Sequence, residues 1–105
     1  MEKLISFDEL LGVINKKIAA KENDSYSYLI ASQGVEKMAR KIGEEAVEVL
    51  IASFVDEKKN DKKSREELVG EICDLFFHTL ILMGSKGIKM EEILQELTKR
   101  NNKKK

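Results

Sequence analysis

Apolar residues recur every three to four positions through most of this chain, which is the repeat of an α-helix and not of a β-strand. We predict an all-α bundle of four to five helices in one domain over residues 1–105, because no linker or internal repeat divides the chain. The predicted helices run from Ser6 to about Lys21, over Tyr26–Ser32, roughly over Val35–Val55, from Ser64 to about Ser85, and over Met90–Arg100.

Short signals mark where these helices begin and end. A serine followed three residues later by glutamate, the spacing of a capping box, occurs at Ser6 and again at Ser64. Gly87 provides a C-terminal stop for the fourth helix. Residues 56–63 are all polar and predict a solvated loop, so the third and fourth helices form a long antiparallel hairpin. Residues 101–105 predict a disordered basic tail.

The apolar stripe of each helix is expected to face a common core. In the first helix this stripe is Leu10, Leu11, Ile14 and Ile18. In the third helix it is Val35, Met38, Ala39, Ile42, Ala46, Val49 and Leu50. In the fourth helix it is Leu68, Ile72, Leu75, Phe76, Thr79, Leu82 and Met83. The last helix uses Ile93, Leu94 and Leu97.

Two acidic pairs border the apolar stripes of the hairpin. Glu45 and Glu48 are three residues apart, as are Glu71 and Asp74, so each pair occupies one face of its helix. Both pairs lie at similar distances from the predicted loop, roughly 10–12 Å, and can therefore face one groove. Four carboxylates at a core edge repel one another, and oxygen-liganded Mg²⁺ or Mn²⁺ would offset that repulsion. The spacing alone equally suits a solvated acidic face.

Composition narrows the functional classes. Lysine plus arginine balances aspartate plus glutamate, which argues against a nucleic-acid-binding chain, and the absence of proline favours helices. The lone Cys73 has apolar neighbours and is expected to be a buried thiol in a reducing compartment. The stretch Leu75–Met83 is interrupted by His78 and is too short to cross a bilayer. A soluble, cytoplasmic protein with no membrane partner is expected.

Two segments, SYSYLIASQGVEKMARKIGEEAVEVLIAS and ELVGEICDLFFHTLILMGSKGI, resemble the phosphoribosyl-ATP pyrophosphohydrolases, all-α enzymes of the MazG-like superfamily. The superfamily pattern E-E-x-x-E followed by E-x-x-D corresponds to Glu44, Glu45, Glu48, Glu71 and Asp74. The narrower resemblance depends on the K-I-G-E-E-A-V-E run and on the Ser-Tyr-Ser segment at 25–27, whose third residue is usually threonine. The resemblance covers nearly the whole chain, from about residue 4 to residue 100.

The resemblance implies an enzyme of histidine biosynthesis that hydrolyses phosphoribosyl-ATP to phosphoribosyl-AMP and pyrophosphate with Mg²⁺. It implies a homodimer, which would also enlarge the small core of a 105-residue chain. No cyclohydrolase-like segment occurs, so a monofunctional enzyme is expected. The implied metal ligands are Glu45, Glu48, Glu71 and Asp74, and Glu44 is the candidate for a second metal ion or for the base that activates water.

Two groups of residues are candidates for binding the substrate's phosphates. Lysines and an arginine on the acidic side of the third helix can meet phosphate oxygens, but they also suit a solvated basic strip. Hydroxyls before and within the second helix can do the same, but they also suit an ordinary helix cap. His78, surrounded by apolar residues, is expected to be a core or supporting histidine. The phosphate candidates are Lys37, Arg40, Lys41, Ser25, Tyr26 and Ser27.

Two other functions remain open from the sequence. A housecleaning pyrophosphohydrolase of the same superfamily, acting on canonical or non-standard nucleoside triphosphates, has the same acidic pattern. A helical interaction module without catalysis is the alternative from another class. Pyrophosphate release from different nucleotides distinguishes the first, and a melting temperature that does not respond to Mg²⁺ or Mn²⁺ would indicate the second.

Overall fold

A computed structural model describes residues 2–103, and these form helices and no β-strand, as the apolar pattern predicted. Outside the helices the described chain consists of short turns and the first residues before α1. The second helix has the predicted bounds. The helices are α1 (Phe7–Ala20), α2 (Tyr26–Ser32), α3 (Val35–Lys59), α4 (Lys62–Lys86) and α5 (Met90–Lys103).

The most extensive packing between helices joins α3 to α4, which form the predicted hairpin. The predicted loop over 56–63 and the capping box at Ser64 were wrong, because only Asn60 and Asp61 lie outside the two helices. Asn60 adopts a left-handed conformation with φ 48°. The carboxylate of Asp61 accepts a hydrogen bond from the Ser64 N–H at 2.8 Å, so Asp61 is the cap. Ser64 is buried and its hydroxyl donates to Asp56 at 2.9 Å.

Loss of the Asp61 cap is expected to loosen the hairpin. Asp61→Ala should lower the melting temperature by several degrees, whereas Asp61→Asn, which can still accept the N–H bond, should lower it less. Hydrogen bonds from Ser64 lower the pKa of Asp61 below its ordinary 3.8. The stabilisation is therefore present above that pH and is lost as the pH falls through the lowered pKa. Thermal melts between acid and neutral pH measure this, and equal melting of wild type and Asp61→Ala at neutral pH would contradict it.

The core lies where α1 and α2 pack against the C-terminal half of α4 and the start of α3. The prediction for α1 was right, because Leu11 and Ile14 are buried. The prediction for α4 was partly wrong. Leu80 and Ile81 are buried although they lie outside the predicted stripe, and Phe76 inside it is about half exposed. The buried core residues are Leu11, Ile14, Ile30, Met38, Leu80, Ile81 and Met83.

Much of the predicted stripe of α3 does not face this core. Met38 is buried, but Leu50 and the large apolar residues beside it are at least half exposed, Phe54 to 67%. These residues are spaced three and four apart, so they form one continuous strip on the helix surface. We call this strip the α3 apolar face; it consists of Val47, Leu50, Ile51 and Phe54.

Three further expectations were wrong. The apolar stripe of α5 does not face the core, because Ile93, Leu94 and Leu97 are exposed and none of the described residues of this helix is buried. Cys73 is exposed and not buried. Helix α5 continues to Lys103, so the first three residues of the predicted tail are helical, and residues 104 and 105 lie outside the described part. Helix α4 is long and apolar enough to cross a membrane by length and composition, with 22% of its apolar window buried. That property alone does not separate a membrane helix from the core helix of a bundle.

Candidate metal centre

Three carboxylates from the two hairpin helices converge on one point. One oxygen atom from each of Glu45, Glu71 and Asp74 lies within 4.8 Å of the others. Glu45, from α3, is only 6% exposed, whereas Glu71 is half-buried and Asp74 is exposed. The set contains carboxylate oxygens and no sulfur or imidazole ligand, which suits Mg²⁺ or Mn²⁺ better than zinc.

Glu48 lies beside this cluster in the groove between α3 and α4. The groove has a volume of about 440 Å³, and its acidic wall includes Glu48, Glu71 and Asp74. The distances from Glu48 and Glu71 to the turn differ from those predicted, because α3 continues to Lys59 and α4 already begins at Lys62. Both arms are longer than expected by similar amounts, so the two acidic pairs still lie opposite one another.

The electrostatics of the groove favour a bound cation. Burial raises the pKa of Glu45, and repulsion from Glu48 and Asp74 raises it further, while His78 and Lys41 act in the opposite direction. Burial and the same carboxylates also raise the pKa of Glu71. Carboxylates that resist ionisation because they repel one another gain from a divalent cation, which removes that repulsion.

Lys41 lies at the edge of the acidic cluster. Its Nζ is 3.3 Å from Glu44 and 3.9 Å from Glu45, and its side chain is 23% exposed. The hydrogen bond with Glu44 raises the pKa of Lys41, so the ammonium group is charged at neutral pH. Glu44, which is exposed, therefore has a cationic neighbour three residues before it. Lys41 combines a partly exposed ammonium group with a position next to the clustered carboxylates.

The other phosphate candidates are arranged differently. Arg40 pairs with Glu36 at 2.8 Å on the exposed surface of α3, and Lys37 is half-buried. Ser25 is the cap of α2, where its hydroxyl accepts a hydrogen bond from a backbone N–H at 3.2 Å. Ser27 is buried, with 3% exposure. Of the charged candidates, Lys41 forms an ion pair with a residue of the cluster, Glu45, whereas Arg40 pairs with Glu36.

A buried histidine connects α2 to the acidic part of α4. The Nδ1–H of His78 donates to the backbone carbonyl of Asp74 at 2.8 Å, since a carbonyl can only accept. In the neutral ring Nε2 is then the acceptor, and the Tyr26 hydroxyl donates to it at 2.7 Å. His78 is 7% exposed, as its apolar neighbours indicated. No pattern in the sequence indicates its bond with Tyr26, which is 52 residues away.

Comparison with known proteins identifies one family and several relatives that carry the same name. The model of the family described as phosphoribosyl-ATP pyrophosphohydrolase matches residues 7–101. A phosphoribosyl-ATP pyrophosphatase of Clostridium acetobutylicum is 41% identical over 98% of this chain and 87% of the relative. One from Pyrobaculum aerophilum is 39% identical over 90% of this chain and 93% of the relative. One from Clostridium novyi is 38% identical over 98% and 87%.

Proposed function

The chain belongs to the phosphoribosyl-ATP pyrophosphohydrolase family, and we propose that it hydrolyses phosphoribosyl-ATP to phosphoribosyl-AMP and pyrophosphate. The observation that supports this chemistry most directly is the convergence of one carboxylate oxygen from each of Glu45, Glu71 and Asp74 to within 4.8 Å of one another. Cleavage between two phosphates requires the neutralisation of several negative charges and a water molecule in line with the broken bond. A carboxylate cluster that binds a divalent cation meets the first requirement.

We assign the metal-binding role to Glu45, Glu48, Glu71 and Asp74. When bound there, Mg²⁺ or Mn²⁺ supplies positive charge to the phosphate oxygens and to the leaving pyrophosphate. Glu44 is exposed beside this set and is suited either to accept the proton of the attacking water or to hold a second ion. Its carboxylate lies 3.3 Å from the ammonium group of Lys41.

The test of this function is a substrate panel with purified protein. Pyrophosphate release from phosphoribosyl-ATP, dUTP and the common nucleoside triphosphates should be measured with and without Mg²⁺. Preference for phosphoribosyl-ATP, dependent on the metal, is expected. Preference for dUTP or another triphosphate would replace the proposal with a housecleaning activity. Absence of any release, together with a melting temperature unaffected by Mg²⁺ or Mn²⁺, would replace it with an interaction module.

Lys41 is proposed to contact the substrate's phosphates. Lys41→Met is expected to raise KM or lower kcat by about tenfold, because a charge-assisted contact is lost. Metal affinity should remain near that of wild type or increase slightly, since a nearby cation opposes Mg²⁺ binding. Arg40→Met, which removes an exposed ion pair one residue away, is the matched comparison. Unchanged kinetics of Lys41→Met at saturating Mg²⁺ would move the phosphate site toward Lys37, Arg40 or the 25–27 segment.

We also propose that the enzyme is a cytoplasmic homodimer in which two copies of the α3 apolar face meet. The strip is continuous and exposes four large apolar side chains, which a single soluble chain rarely leaves in water. Gly43, one turn before Val47 and on the same side of α3, is exposed and lets a second helix approach closely. A two-fold pairing of identical strips would cover both at once.

A further inference from the structure

We propose that Tyr26 recognises the nucleoside part of the substrate through its aromatic ring and not a phosphate through its hydroxyl, and that His78 is the residue that positions this ring. The inference builds on the proposed nucleotide pyrophosphohydrolase function and adds a specificity residue to it.

The hydroxyl of Tyr26 already forms a hydrogen bond within the protein. When the His78 ring is neutral, the single proton of this hydroxyl is donated to Nε2 at 2.7 Å, because the other ring nitrogen donates to the Asp74 carbonyl. What remains on the phenol oxygen are lone pairs, and phosphate oxygens are acceptors as well, so the two form no hydrogen bond. Turning the hydroxyl toward a phosphate would leave Nε2 of a 7% exposed histidine without a donor.

The ring of Tyr26 is both fixed and accessible. His78 packs edge-on against it, with ring centroids 5.5 Å apart, and Phe77 is stacked with it at 6.3 Å. Tyr26 is nevertheless 46% exposed, whereas its neighbours Ser25 and Ser27 are buried. An aromatic side chain that is held on one side and open on another is preorganised to receive a flat ligand group.

The position of this ring beside the acidic cluster fits a nucleotide. His78 joins the Tyr26 ring to Asp74, one of the clustered carboxylate residues, because it bonds to the Tyr26 hydroxyl at 2.7 Å and to the Asp74 backbone carbonyl at 2.8 Å. A nucleotide whose phosphates lie at Lys41 and the carboxylates would therefore have its nucleoside within reach of the ring.

Stacking also suits this substrate chemically. A tyrosine ring stacks on the face of a purine and needs no hydrogen bond with its edge. The adenine of phosphoribosyl-ATP carries a second phosphoribosyl group on the base, which would obstruct recognition by hydrogen bonds along that edge. Recognition of the face accommodates the substituent, and the Tyr26–His78 bond keeps the ring from turning away when no ligand is bound.

Steady-state kinetics of variants separate the ring from the hydroxyl. Tyr26→Leu is expected to raise KM for phosphoribosyl-ATP about tenfold or more with kcat within about threefold, as for loss of one stacked base. Tyr26→Phe, which keeps the ring, should change KM less than about threefold. Tyr28→Leu is the matched control, since Tyr28 is the chain's other tyrosine and is expected to leave KM unchanged. A Phe variant as impaired as the Leu variant, or a harmless Leu variant, overturns the inference.

Inhibition by fragments gives a second readout. Tyr26→Leu should weaken inhibition by AMP and leave inhibition by ribose 5-phosphate, which lacks a base, unchanged. His78→Leu, which removes the hydrogen bond and the edge-on ring contact together, should raise KM more than Tyr26→Phe and less than Tyr26→Leu. His78→Gln should partly restore KM, and the effects of Tyr26→Leu and His78→Leu should not add. Equal weakening of both inhibitors, or additive effects, overturns the inference.

A failure of the proposed function can be distinguished from a failure of the Tyr26 inference. If the proposed function is wrong, the wild-type protein releases no pyrophosphate from phosphoribosyl-ATP. In that case calorimetric binding of AMP in the presence of Mg²⁺ to wild type and Tyr26→Leu still decides the role of the ring. Weaker binding of AMP by the variant supports that role, and equal or absent binding by both proteins contradicts it.

Discussion

Glu45→Gln and Asp74→Asn are each expected to lower kcat by at least about a hundredfold, because each removes a ligand charge from the cation that neutralises the phosphates. Both variants should nevertheless fold. In the metal-free protein Glu45 is buried among like charges, so the neutral amide of nearly the same size removes a repulsion and is expected to raise the melting temperature. Addition of Mg²⁺ should raise the melting temperature of wild type more than that of either variant.

The pH dependence of the metal-free protein provides an independent check on Glu45. Its pKa is raised above the ordinary 4.5, mainly by burial and then by Glu48. The stability it contributes is therefore fully present below the unfolded pKa and is lost as the pH rises through the higher folded pKa. Wild type in a chelator should lose stability over that range, and Glu45→Gln should lose less.

Glu66→Gln is a suitable control for both measurements, since Glu66 is an exposed acid of α4 outside the cluster. It should retain turnover and the pH dependence of wild type. Wild-type turnover in folded Glu45→Gln and Asp74→Asn would remove the proposed metal centre. A lower melting temperature of metal-free Glu45→Gln at neutral pH would show that the carboxylate stabilises the fold instead of straining it.

Helix ends were predictable from the sequence where a local signal decides them. Ser6 with Glu9 forms the predicted capping box, and Gly87 ends α4 in a left-handed conformation. The turn between α3 and α4 was not predictable in the same way. Polar residues suit an exposed helix end as well as a loop, and the actual cap pairs Asp61 with Ser64, a combination that the usual serine–glutamate pattern does not include.

A single apolar side predicted the buried face of α1 but failed for α5, whose apolar residues Ile93, Leu94 and Leu97 are exposed. Helix α1 has a single apolar stripe, and its buried residues are those expected. Around Leu80 and Ile81, α4 is apolar on nearly all sides and several helices contact it, so periodicity did not select the buried face. In α3 the strongest apolar stripe is largely exposed, because the part of α3 that faces the other helices includes the buried carboxylate Glu45.

For the candidate site, the sequence predicted that the two acidic pairs face one groove, although the predicted turn between α3 and α4 was too long. Both helices extend further toward the turn than predicted, by similar numbers of residues, so the two acidic pairs remain opposite one another. The bond between Tyr26 and His78 was out of reach of any sequence pattern. It depends on how α2 lies across α4, which tertiary packing determines and no spacing along the chain encodes.

Phe54→Asp is expected to separate the proposed dimer into monomers. Phe54 is the most exposed member of the α3 apolar face, at 67%, so its replacement by aspartate should cost the single chain little stability. At a paired interface the same change would place a charge opposite apolar side chains of the second copy, where it has no partner. We expect the dissociation constant to rise by at least about a hundredfold, as for loss of a central interface residue.

Leu97→Asp is the matched control for this change. Leu97 is about half exposed on α5, away from the α3 apolar face, and its replacement should leave the dimer intact. Light scattering across micromolar concentrations measures the mass of each protein, and circular dichroism verifies that each variant remains helical. Dissociation by Leu97→Asp but not by Phe54→Asp would move the interface to α5. A monomeric wild type with full activity would contradict the dimer altogether, and the exposed strip on α3 would then be a feature of the single chain.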